Sequence, residues 1–309
     1  MQLKWEKKLH RLSSIVSACF IIFAIIGAIL NLSLFLFNTD AMHVTGMHSA
    51  AAGSSNPIIY LYKSNTLTGI FVGLCLITFL LAVILAVVMI VRKKRCSQLT
   101  LPERRGALQI IRIFAGFALL AIPVIYAVFS LYGFELGKFR GTINRGAMLI
   151  ALPASLYFLF PGIADRFSEF LQTIFGMCLI VFAILSAMTT HVYMYEGLTS
   201  PVRIMNLLSM TALMLFTLYE LRFFASRPLP NMYLATAGLA TFFCATNGLP
   251  RLILTFIGEM SVSVQTIYAC FEVTIALYAA CRMMLFLSEW SYTMQNAAIE
   301  DEQIGRAHV

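Results

Sequence analysis

Glu272 is the residue whose type and setting most invite chemistry. It falls inside the apolar run Ser261–Leu287, SVSVQTIYACFEVTIALYAACRMMLFL. Helical rise from Ser261 carries it roughly 16 Å, near the middle of a hydrocarbon layer about 30 Å thick. An ionised carboxyl alone at that depth is costly, and intramembrane acids recur on proton and ion paths. The alternative is a hydrogen-bonded acid that holds helices together, with Thr241 or Asn247 as its partner. Helical spacing groups Gln265, Ala269, Glu272, Ala276 and Ala279 on a small or polar face expected to pack against protein. Ile267, Phe271, Tyr278 and Leu285 form a bulky face expected to meet lipid.

Three further places carry charge near apolar segments. Glu220 and Arg222 are two apart, so they do not face each other on a helix. They are expected to snorkel at the membrane edge; the functional alternative is a gate or docking point shared with Arg227-Pro228-Leu229-Pro230. Arg251 follows Gly248-Leu249-Pro250. It reads as a headgroup anchor or, if the helix breaks there, as a guanidinium offered to an anionic solute. Met42-His43 and Met47-His48 pair ligands suited to cuprous copper. Two pairs are too few to carry a metal site, and no metal or cofactor is expected.

Catalytic patterns are missing. The spans hold no lysine for a Schiff base and no mid-span histidines for a haem. There is no HExxH, no glycine-flanked serine opposite a histidine, no phosphate-cradling glycine loop and no acidic pair within a span. Intramembrane catalysis needs several convergent polar groups. The interior reads as lacking them, so the expectation is that the protein is not an enzyme.

The elements that must position these residues are set by composition. The 309 residues are 60% hydrophobic and 12% charged, with mean hydropathy +0.85, well outside the range of a soluble domain. Spans are expected at about 13–37, 67–91, 113–132, 146–164, 170–190, 204–224, 232–249 and 262–287. This is an all-α polytopic bundle of about eight transmembrane helices, seven if the fourth fails to cross, in one domain with no soluble part. The first run is too long for the core of a signal peptide and follows the basic stretch MQLKWEKKLHRL. Residues 38–66 read as a loop rich in small and turn-forming residues. Gly69 and Gly73 have the GxxxG spacing that lets helix backbones approach. Pro123 is expected to kink the third span, and Pro153 and Pro161 make the fourth a candidate re-entrant segment. Six of the seven cysteines sit in apolar runs as packing residues, with Cys96 in the basic loop RKKRC.

Of the 22 lysines and arginines, 16 fall on the amino-terminal side of an eight-span arrangement and six on the other. Both ends are therefore expected in the cytoplasm. Tyr219, Glu220, Leu221, Arg222, Arg227, Pro228, Pro230 and Tyr233 form the pattern LYELRFFxxRPxPxxY. It resembles uncharacterised multi-spanning membrane proteins of low-GC Gram-positive bacteria, which implies a bacterial cell membrane and brings no activity with it. The leading expectation is a small transporter or permease-like protein in which Glu272 couples to a proton or solute. The rival is a non-catalytic anchor, sensor or regulatory subunit that docks membrane or cytoplasmic partners through Arg92–Arg105 and the Arg227-Pro228 turn. The net charge of +8 belongs to loops facing lipid headgroups, not to nucleic-acid binding.

Overall fold

In hydrocarbon a backbone finds no water to bond, so a chain this apolar has to satisfy its amides within each segment, and helices do that. The computed structural model describes the backbone of residues 2–37, 39–43, 58–62, 66–90, 101, 106–131, 142–163, 169–193, 201–225, 228–259 and 264–307, and most of their side chains. Eight helices occupy it: α1 Gln2–Phe37, α2 Thr66–Ile90, α3 Gly106–Leu131, α4 Thr142–Ile163, α5 Glu169–Tyr193, α6 Pro201–Phe224, α7 Pro230–Ile257 and α8 Val264–Ala307. Seven are long and apolar enough to cross a membrane; the apolar part of α4, Arg145–Pro161, is shorter. Large apolar side chains such as Ile22, Ile29, Leu76, Phe79, Phe114, Phe170 and Leu277 are exposed around the bundle. A surface of that kind needs lipid to cover it.

Contacts between helices give the direction of some of them. Gly146 on α4 lies against Leu185 on α5, while Phe160 stacks on Phe175, so these helices run antiparallel. Gly116 on α3 packs on Leu159 of α4. The His10 ring donates to the Leu287 carbonyl at 2.9 Å and meets Trp290 edge to face. The start of α1 and the inner part of α8 therefore share one side of the bundle. An even number of crossings does that, and a re-entrant α4 does not.

At the centre stands α7, packed most closely against α8 and α1 and flanked by α6 and α2. Its alanines, glycines and threonines let four neighbours approach, as small residues do between membrane helices. A side chain at Gly248 would meet the Ala269 carbonyl oxygen of α8 at 2.8 Å. Pro230 opens α7, where a missing amide costs nothing. Gly258 closes it at φ 86, its amide and that of Glu259 bonding back to Thr255 and Leu254.

Several expectations change. The connection after α1 is not all loop: β1 Thr39–His43 pairs antiparallel with β2 Ile58–Tyr62, Thr39 opposite Tyr62. Pro250 lies within α7, so the helix continues past it to Ile257. The neighbouring helices satisfy what the proline removes. Among the described residues nothing lies within 4 Å of a side chain built at Gly69 or Gly73, so this GxxxG packs against none of the described helices. The polar tail carries the α8 helix on to Ala307. Finally, Phe271 and Tyr278 are fully buried. Helices wrap so much of α8 that its large exposed apolar residues, among those described, are Leu277, Met284 and Tyr292.

Candidate functional site

Glu272 is 2% exposed and sits where α6, α7 and α8 meet. Its Oε1 accepts from the Ser209 hydroxyl at 2.7 Å. The Asn247 amide lies 2.8 Å from both of its oxygens. The same amide group donates to Asn206 Oδ1 at 2.9 Å, so the two amide hydrogens of Asn247 serve α6 and α8 together. Arg251, one turn beyond Asn247 and 6% exposed, is a cation in electrostatic reach of Glu272, and its Nη2 has no hydrogen-bond partner among the described residues. Gly248 supports this geometry: its close approach to α8 includes the Glu272 Cβ.

Of the two partners proposed for Glu272, Asn247 makes the bond. Thr241 is buried, but its hydroxyl donates to Ala237 O of its own helix at 2.8 Å, the habit of threonine inside an apolar helix. Gln265 lies on α8, and its side chain is outside the described residues. Arg227 and the loop residues 92–100 and 102–105 are outside them as well.

A second polar cluster lies roughly 15 Å further along α8, by the helical rise from Glu272 to Arg282. Glu220 is at its centre, fully buried. Its Oε1 accepts from the Tyr278 hydroxyl at 2.7 Å and from Arg282 Nε at 2.8 Å, and its Oε2 from the Tyr157 hydroxyl at 2.9 Å. Arg282 Nε also reaches the Tyr278 hydroxyl at 3.0 Å. Arg112 of α3 contributes Nη2 at 3.4 Å from that same hydroxyl. Both guanidiniums stand over the Tyr278 ring, at 5.8 Å for Arg112 and 5.6 Å for Arg282, in cation–π range.

Glu220 is thus no snorkelling charge. Four residues before the end of α6 it turns inward, while Arg222, partly exposed, faces another way. Arg251 is buried too, not anchored among headgroups. The interior does hold convergent polar groups, contrary to the reading that it lacks them. Arg112, Arg282, Tyr157, Tyr233 and Tyr278 supply them. The signal that places them is depth: Glu220, Arg282 and Arg112 fall at one level once helix direction alternates from span to span. Among the described residues no group of three or more His, Cys, Asp or Glu side chains is arranged to hold a metal ion.

The chain is an integral membrane protein with two buried, charged hydrogen-bond clusters. Comparison with family models, with curated proteins and with solved structures finds no match.

Proposed function

We propose that the protein is a small permease-like transporter in which Glu272 takes up and releases a coupling proton. The observation that carries this reading is the position of the Ser209 hydroxyl. It lies 2.7 Å from Glu272 Oε1 and 3.0 Å from the Asn206 carbonyl, and a hydroxyl donates one hydrogen at a time. With Glu272 ionised, Ser209 donates to the carboxylate. With Glu272 protonated, the acid donates to Ser209, which turns its own hydrogen to Asn206. Asn247 donates to the carboxyl in both cases. Neither protonation state strands Ser209, Asn206 or Asn247, so the part of the penalty that comes from their hydrogen bonds is softened.

Sidedness supports the same reading. The lysine and arginine asymmetry favours both ends in the cytoplasm, which puts Arg251 outward of Glu272 and the Glu220 cluster inward. Polar groups then occur at successive depths along α6, α7 and α8, as a path through the bundle requires.

Dicyclohexylcarbodiimide, which modifies protonated carboxyls reached from the lipid phase, tests the proton step in vesicles containing the full chain. Modification of Glu272, located by peptide mass spectrometry, is expected to rise as the pH is lowered. In vesicles loaded with a pH-sensitive dye, potential-driven proton uptake is expected for the wild type and absent for Glu272→Gln. Glutamine can donate to Ser209 and accept from Asn247, so this variant keeps the fold. Unchanged proton uptake together with unchanged stability in Glu272→Gln would remove the reading.

A further inference from the structure

The inner cluster holds a positive charge that its own residues do not cancel. Two guanidiniums, Arg112 and Arg282, meet around Tyr278, and among the described residues one carboxylate, Glu220, faces them and pairs with Arg282. Arg112 is 2% exposed, its hydrogen bond to Tyr278 is long at 3.4 Å, and its Nε has no partner among the described residues. Tyr233 of α7 is fully buried, lies in electrostatic reach of both arginines and of Glu220, and its hydroxyl has no partner among the described residues either. A guanidinium withdrawn from water without a counter-charge is strongly unfavourable. Nε and Nη2 are the edge with which arginine grips a carboxylate in two parallel bonds. On Arg112 that edge carries one long bond and one donor without an acceptor.

We infer that Arg112, assisted by the Tyr233 hydroxyl, binds a monovalent carboxylate. The charge count sets the valence: two cations less Glu220 leave one positive charge, which a monoanion cancels and a dianion oversteps. The surroundings are apolar, since Phe216, Phe223 and Phe286 pack on the Tyr233 ring with centroids 5.7, 5.1 and 5.5 Å away, so the group behind the carboxylate is an apolar one. The carboxylate has two sources, a short-chain acid from the aqueous side or a fatty acid from the bilayer. The site stands on its own geometry and does not need Glu272 to move a proton.

The experiment measures the melting temperature of the full chain in phosphatidylcholine nanodiscs against sodium butyrate and against sodium oleate, with sodium chloride at equal ionic strength. A saturable rise with either carboxylate, absent with chloride, is expected for the wild type. Butyrate alone active assigns the aqueous source, and oleate alone active assigns the bilayer. Arg112→Gln is expected to abolish the rise while melting at or above the wild type without ligand, because it deletes a buried charge that has no ion pair. Arg112→Lys, a point charge without the two-pronged edge, is expected to lose at least about tenfold in apparent affinity, equivalent to about 1.4 kcal/mol. No saturable rise with either acid, an equal rise in Arg112→Gln, or an Arg112→Gln protein that melts well below the wild type without ligand overturns the inference. The last of these would make Arg112 a structural residue satisfied by buried water.

Discussion

Asn247 is the residue on which the outer cluster turns, because its amide is shared between Asn206 and the Glu272 carboxyl. Replacing it by alanine withdraws a donor from two buried acceptors at once. Asn247→Ala is therefore expected to lose about 1–3 kcal/mol of stability, read as a lower midpoint of unfolding in detergent. Thr241→Val, whose hydroxyl serves its own helix, should change little in the same measurement. In the inner cluster Glu220 accepts from Tyr157, Tyr278 and Arg282. Glu220→Ala leaves all three donors, the Arg282 guanidinium among them, without their carboxylate, at an expected loss of about 3–5 kcal/mol. Glu272 was legible at this scale because an acid inside an apolar run stands out against its neighbours. Glu220 and Arg282 were not, since each lies near a span end, where a charge reads as interfacial until a partner on another helix is known.

Helix contacts in this bundle depend on where small residues meet, not on how they are spaced along one strand of sequence. Gly248 is a true close approach and Gly69 and Gly73 are not. Gly248→Leu drives a side chain into the Ala269 carbonyl and parts α7 from α8 at the level of Glu272. The expected result is strong destabilisation, or no folded yield. Gly69→Leu and Gly73→Leu, with open space around them, should leave the unfolding midpoint within a degree or two of wild type, where rough additivity of surface changes applies. The spans themselves were readable from hydropathy, because the length of an apolar run is a property of the chain alone. The extent of helix was not: α3 begins at Gly106, α7 runs through Pro250 and α8 through its polar end. Backbone hydrogen bonds continue where neighbours or water can serve them, and neither leaves a mark in local composition.

For the molecule as a whole, burial of four arginines changes the count that orients it without reversing it. Arg112 and Arg282 leave one side, and Arg203 and Arg251 leave the other, so sixteen against six becomes fourteen against four. The contact of His10 with Leu287 and Trp290 puts the start of α1 and the inner part of α8 on one side. Tags fused to the amino and carboxyl ends should both resist protease in right-side-out vesicles and both be cut in inverted ones. Opposite behaviour of the two tags would mean that α4 does not cross. The length of α8 has a separate mechanical meaning. From Glu272 to Ala307 it is an unbroken rod of roughly 50 Å at 1.5 Å per residue. A tilt of about 5° pivoting at the carboxyl would swing its far tip by roughly 4 Å. Rearrangements among Ser209, Asn247 and Glu272 that tilted α8 would thereby be geared into a larger displacement at its far end.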